Sequence, residues 1–173
     1  RRQFTAADAP YALPAGVPSY EAIVVLPMHG QDPLEFAAQV LEDMKDIQDG
    51  KRVLLPRVNR ASKHLDLYQV RNLQHDVGPG LWGIREPLEE RCTKEDALGT
   101  VDFILLPGVA FTLDGARLGY GGGLYDKLLA RMPHRPTLVA AAFALQVVQE
   151  IPQENTDQKV GWLVTEKETI RCN

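Results

Sequence analysis

VDFILLPGVAF, residues 101 to 111, decides how the rest of the chain is read. Asp102 precedes four consecutive apolar residues, Phe103 to Leu106, and Pro107-Gly108 stops them. A run this short, without alternation and closed by turn residues, predicts a strand buried on both faces. Pro107 cannot donate to a ladder, so the strand ends there. Working outward, AIVVLP at 22–27, KRVLLPRV at 51–58 and TLVAAAFA at 137–144 have the same character. GWLVTEKETI at 161–170 gives a final strand and turn, and the alternation of HLDLYQV at 64–70 predicts a half-exposed strand.

Helical spacing lies between these runs. MHGQDP at 28–33 reads as a loop, after which Leu34, Ala37, Ala38, Leu41, Met44 and Ile47 recur three and four apart, with Gly50 placed to end the helix. LYDKLLARM at 124–132 reads as a second helix, LQVVQEIP at 145–152 as a short one, and GPGLWGIREP at 78–87 as a loop bearing a tryptophan. Apolar strands alternating with helices predict an α/β fold: three layers, a mainly parallel sheet with helices on both faces, Rossmann-like. One domain is expected over residues 1–173, with 1–20 an extended lead-in because PYALPAGVP at 10–18 holds three prolines. Ligands of such sheets gather at the carboxyl ends of strands, where PMHGQ, PGVAF and the glycine turn after them sit.

Composition narrows the function. The chain has 173 residues, 45% hydrophobic and 24% charged, as an ordinary globular domain does. A net charge of −4 and a pI near 5.6 argue against a nucleic-acid partner. No apolar run reaches the ~20 residues of a membrane span. The two cysteines, Cys92 and Cys172, lack metal-ligand spacing, so free thiols in a reducing compartment are expected. RRQFTAADAP at the start reads neither as a signal peptide nor as a transit peptide, which leaves the cytoplasm.

RLGYGGGLYD, residues 117 to 126, puts four glycines into five positions. Glycine loses more freedom on folding than any other residue, so the turn must need bare backbone. Bare N–H groups before a helix suit an anion such as phosphate; Arg117, at the mouth of the turn, can add a bidentate contact and Asp126 can hold magnesium. The competing reading is a tight turn with Asp126 as a helix cap. Leu124 replaces the glycine of a dinucleotide fingerprint, and Gly-Lys-Ser/Thr is absent, so the turn is neither of the familiar phosphate loops.

DFILLPGVAFTLDGARLGYGGGLYDKLLARM at 102–132 closely resembles the signature of the 5-formyltetrahydrofolate cyclo-ligase (5,10-methenyltetrahydrofolate synthetase) family. KRVLLPRV, HLDLYQV, GLWGIREP, FALQVVQEIPQENTD and WLVTE resemble other family segments in the same order, so the resemblance covers roughly residues 22–170. It implies an ATP- and Mg2+-dependent closure of 5-formyltetrahydrofolate to the 5,10-methenyl form, releasing ADP and phosphate, in a monomeric enzyme whose partners are the reduced folate and ATP. The formyl oxygen is phosphorylated, N10 attacks the activated carbon, and phosphate leaves.

Carried over by position, the resemblance implies catalytic roles for Arg117 and Tyr125. Arg117, Leu118, Gly119, Tyr120, Gly121, Gly122, Gly123, Leu124 and Tyr125 match the family's ATP turn. Val25, Gln31, Trp82 and the Gly119–Gly123 stretch match its folate contacts, and an indole at Trp82 suits stacking on a pterin. Asp126 and Asp157 match its magnesium ligands. Four departures stand out: Gln31 where a glutamate is usual, Leu124 where an aromatic is usual, Gly161 where an acid is common, and only Arg1 and Arg2 where a basic helix reaches the nucleotide. Two rival readings use the same residues: a homologue that binds folate or nucleotide without turnover, and an unrelated sugar-phosphate or nucleotide enzyme on a similar sheet.

Overall fold

The computed structural model describes residues 22–25, 51–81, 84–165 and 167–172. The proline-rich lead-in, the 28–33 loop and the helix expected through Leu34–Ile47 lie outside the described residues.

The buried run at 101–111 sits near the middle of the main sheet. The first strands are β1 (Ala22–Val25), β2 (Arg52–Asn59), β3 (His64–Val70), β4 (Val77–Pro79), β5 (Arg85–Pro87) and β6 (Thr93–Glu95). Then follow β7 (Phe103–Leu106), β8 (Ala110–Thr112), β9 (Arg117–Leu118), helix α1 (Leu124–Ala130), β10 (Thr137–Ala141), β11 (Val147–Val148), β12 (Trp162–Val164) and β13 (Thr169–Arg171). The eight-stranded sheet runs β13-β12-β10-β7-β1-β2-β3-β6. Its five central strands are parallel: β1 pairs with β2 and β7, and β10 with β7 and β12. The edges are antiparallel, through β12–β13, β2–β3 and β3–β6. A three-stranded sheet, β11-β8-β9, and the β4–β5 hairpin complete the strands.

Alternate residues of the central strands feed two cores. Phe103, Leu105, Val53, Leu55, Val139 and Ala141 face one side with Val70 and Val77. Ile104, Leu106, Leu54, Leu138, Ala140 and Leu163 face the other, with Phe111 and Leu128. Burial on both faces is why these strands read as unbroken apolar runs. HLDLYQV keeps the predicted alternation only through Leu67: Tyr68 is buried as well, and Val70 faces the core opposite to Leu65 and Leu67, so this strand is covered on both faces towards its end.

The expected three-layer, mainly parallel, Rossmann-like sheet with helices on both faces is not what forms. Among the described residues strand far outweighs helix, the sheets are of mixed and antiparallel kinds, and there is one α-helix, seven residues long. Connection length is one cause: four residues join β2 to β3, and a parallel partner needs a crossover of about a dozen or more. Local chemistry is the other. After β7, Pro107-Gly108 and Asp114-Gly115 favour turns over a crossover helix, so residues 110–118 fold as the β8–β9 hairpin. LQVVQEIP forms no α-helix either; Ala144–Gln146 is a single 3-10 turn, and Val147–Val148 pairs with β8. The 78–87 loop is partly a hairpin, β4–β5.

LYDKLLARM does fold as a helix, α1, and plugs Leu128 into the core beside Phe111, with only 1% of the residue exposed. Leu128→Ala should lower stability by about 2–5 kcal/mol, since buried leucine truncation leaves a cavity. Urea unfolding checks this: the midpoint falls while the slope is unchanged.

Candidate functional site

The site grows from the switch in strand order. Starting from β1, the chain builds outward through β2 in one direction and through β7 in the other, and ligands of open parallel sheets settle outside the carboxyl ends at such a point. β7 delivers Pro107-Gly108 there, and β10 delivers Phe143–Gln146.

The β8–β9 hairpin then places Arg117. Thr112 shapes its turn: the hydroxyl donates to the Asp114 carboxylate and accepts from the Ala116 N–H. The Val109 N–H donates to the Leu118 carbonyl at 2.8 Å, extending the pairing past the hairpin into the Pro-Gly turn. Arg117 is consequently buried, with 4% of its side chain exposed. Its guanidinium lies beneath the glycine turn rather than at its mouth.

Burying a guanidinium requires a counter-charge, and Asp126 supplies it from the first turn of α1. Arg117 Nη2 donates to both carboxylate oxygens at 3.0 and 3.1 Å. The Gln158 N–H also donates to Asp126 at 3.3 Å, which brings the segment holding Asp157 to the pair. The Tyr125 ring faces the guanidinium at 5.7 Å from its centroid. Burial pushes the Tyr125 hydroxyl up to about 12, against the lowering influence of Arg117. Arg117 Nη1 reaches the Pro107 carbonyl only at 3.5 Å, and its Nε, fully buried, has no hydrogen-bond partner.

The glycines divide by what each does. Gly121 and Gly123 hold φ of +83° and +59°, the left-handed region where a side chain is strained. Gly119 is needed for close approach, because a Cβ there would stand 3.0 Å from Arg117 Nη1. Gly122 meets neither demand: its φ is ordinary and its nearest neighbour would be Leu124 at 3.7 Å. Nothing in the fold requires it to be bare. Tyr120, 65% exposed, stands at the outer edge of the turn.

Arg117, Leu118, Gly119, Tyr120, Gly121, Gly122, Gly123, Leu124, Tyr125 and Asp126 therefore form one continuous feature. Asp157 is half-buried and its carboxylate accepts the Glu154 N–H at 2.8 Å, closing a local turn. No group of three or more His, Cys, Asp or Glu gathers for a metal among the described residues. Val25 ends β1, paired with Leu105 of β7, which puts its backbone at the switch. Gln31 and Trp82 lie outside the described residues. One contributor carried no signal of its own: Gln146 falls in a stretch that reads as helix. Gly108, legible in sequence as part of the turn after β7, packs so tightly that a Cβ would lie 2.6 Å from Phe111.

The chain thus carries a glycine-walled turn over a buried arginine–aspartate pair, at the carboxyl ends of the parallel strands of a mixed sheet. Residues 22–166 match the family model of the 5-formyltetrahydrofolate cyclo-ligases, and the chain belongs to that family. It is 36% identical over 132 residues to the mouse 5-formyltetrahydrofolate cyclo-ligase, covering 71% of this chain and 64% of that protein. A probable 5-formyltetrahydrofolate cyclo-ligase of Caenorhabditis elegans is 31% identical over 134 residues, covering 73% and 65%. The chain thus matches just under two thirds of the length of these relatives. The NMR structure of a 5,10-methenyltetrahydrofolate synthetase from Aquifex aeolicus superposes with a TM-score of 0.70 at 33% identity, over 96% of this chain and 80% of that one. A synthetase of that name from Mycoplasma pneumoniae, 16% identical with a TM-score of 0.63, shares the fold over 90% and 79% of the two chains.

Two measurements check this geometry. Gly122→Ala should leave stability within about 0.5 kcal/mol of wild type, whereas Gly121→Ala should cost about 1–2 kcal/mol for the left-handed φ. Tyr125 should titrate well above the ordinary phenol range. Its folded-state value lies above the ordinary 10, so the stability it contributes is whole below pH 10 and lost as pH rises towards 12. An ultraviolet phenolate titration should show a late component that Tyr125→Phe removes.

Proposed function

We propose that this chain catalyses the ATP-dependent closure of 5-formyltetrahydrofolate to 5,10-methenyltetrahydrofolate. The observation that carries the reading is the buried Arg117, held by Asp126 and with Nε unpartnered, beneath a glycine turn that one more glycine than the fold needs keeps bare. Family membership supplies the chemical class. The unpartnered donor and the bare backbone of Gly122 are what a phosphate group would use.

The formyl oxygen is a poor leaving group, so it must first be phosphorylated. It attacks the γ-phosphorus of ATP and ADP departs. The N10 lone pair then attacks the activated carbon, N10 gives up its proton, and the carbon–oxygen bond breaks as phosphate leaves. N5 and N10 share the resulting positive charge. Such a reaction asks the protein for positioning and charge neutralisation more than for covalent chemistry.

This chain's residues fit those tasks. Arg117 brings fixed positive charge to the transferring phosphoryl group. Tyr125, its hydroxyl pushed up to about 12, stays a neutral phenol and donates a hydrogen bond rather than taking a proton. The donor set suits magnesium, which typically takes one or two carboxylates and fills its other positions with phosphate oxygens and water. Asp126 and Asp157 would hold it, Asp157 preceding the Gln158 whose N–H reaches Asp126, and when bound it would neutralise phosphate charge. Gln31, Trp82 and Val25 complete the reading on the folate side. We place the enzyme in the cytoplasm as a monomer; Cys92 and Cys172 are free thiols, as a reducing compartment requires, and no described helix is long and apolar enough to cross a membrane.

The rise of methenyl absorbance with 5-formyltetrahydrofolate and Mg-ATP tests the reading. An ATP-dependent signal is expected; none at high protein concentration would contradict it, and folate binding without turnover would favour the binding-only alternative. Asp126→Asn should cut turnover at least about a hundredfold by removing a metal-holding charge. Asn can still accept from Arg117 but leaves the buried guanidinium without its counter-charge, so a stability loss of about 3–5 kcal/mol is expected and turnover is measured below the melting temperature of the variant. Unchanged activity at limiting magnesium would remove the metal role.

A further inference from the structure

We propose that Gln146 is a positioning residue for Arg117, acting through the Pro107–Val109 turn; the inference rests on the nucleotide reading above. Its side-chain Nε2 donates to two backbone carbonyls, Gly108 at 3.0 Å and Val109 at 3.0 Å. Its Oε1 accepts the Phe143 N–H at 2.8 Å. One amide orientation satisfies all three contacts, because both carbonyls demand a donor and the N–H demands an acceptor. The contact spans 38 residues of sequence, from the 3-10 turn after β10 to the turn after β7.

That second turn touches Arg117 in two ways and its chain neighbour in a third. The Pro107 carbonyl receives Nη1 at 3.5 Å. The Gly108 backbone lies against the arginine stem, where a Cβ would come 3.1 Å from Cγ. The Val109 N–H fixes the carbonyl of Leu118, the residue after Arg117, at 2.8 Å. Asp126 grips only the far end of the guanidinium, through Nη2, so the near end takes its position from this turn. Gln146 itself touches neither Arg117 nor the glycine turn in any of these bonds. Its reach is indirect, through the backbone it clamps.

A carboxylate at this position would keep the Phe143 contact and lose the clamp, since two carbonyl oxygens would face it without a donor. Gln146→Glu therefore separates positioning from local capping, and the neutral Gln146→Met, of similar size, loses both. Binding of a non-hydrolysable ATP analogue with magnesium is measured by calorimetry below the melting temperature of each variant. Wild type should bind, and both variants should bind roughly tenfold to a hundredfold more weakly, the range expected when a contact group shifts by about an ångström. Wild-type affinity in either variant overturns the inference; a Glu variant that binds normally while the Met variant does not would mean Gln146 only caps its own turn. No binding by the wild-type chain would overturn the nucleotide reading and the inference together.

Discussion

The ion pair between Arg117 and Asp126 ties together the parts of the chain that flank the site. Arg117 belongs to the small sheet, Asp126 to α1, and the Gln158 N–H that joins them to the loop before β12. A guanidinium so far removed from water is tolerable only with a counter-charge, so losing either partner leaves a buried charge uncompensated. Asp126 remains partly open, with 20% of its side chain exposed. The pair is thus anchored at the arginine and accessible at the aspartate, the asymmetry expected of a group that still has something to bind.

The sheet sets where this pair can sit. Among the parallel strands, β2, β7 and β10 are buried on both faces, and the reversal of strand order around β1 opens a place where loops from several strands converge. Antiparallel additions at each end finish the sheet without crossover helices. α1 owes its position to Leu128 in the core, and that one anchor aims Tyr125 and Asp126 back at Arg117. Packing and chemistry share seven residues.

How much could be read in advance follows from the range of each signal. VDFILLPGVAF announced its strand because burial on both faces leaves an unbroken apolar run, and LYDKLLARM announced α1 by spacing. The glycine cluster pointed to a site because bare backbone is costly wherever it occurs. The layers above the sheet are not legible in the same way: apolar runs report that a strand is covered, not what covers it, and the β8–β9 hairpin does part of the covering that helices do in a layered sheet. The four-residue link between β2 and β3 carries the antiparallel answer, because it is too short for a crossover. Arg117 lay in plain view, yet its burial did not, since Asp126, Pro107 and Gly119 meet it only in three dimensions. Gln146 gave no signal, because an amide that clamps a distant backbone leaves no pattern in its own neighbourhood.

The central claim is that the buried guanidinium of Arg117 is the charge that meets a nucleotide phosphate. The most direct measurement follows the Arg117 Nε–H resonance by NMR during titration with magnesium and a non-hydrolysable ATP analogue. This proton has no hydrogen-bond partner in the ligand-free protein. The account predicts that its resonance moves as the analogue binds and saturates with the same dissociation constant as the calorimetric binding. A resonance that stays fixed while the analogue binds would place the nucleotide elsewhere and contradict it.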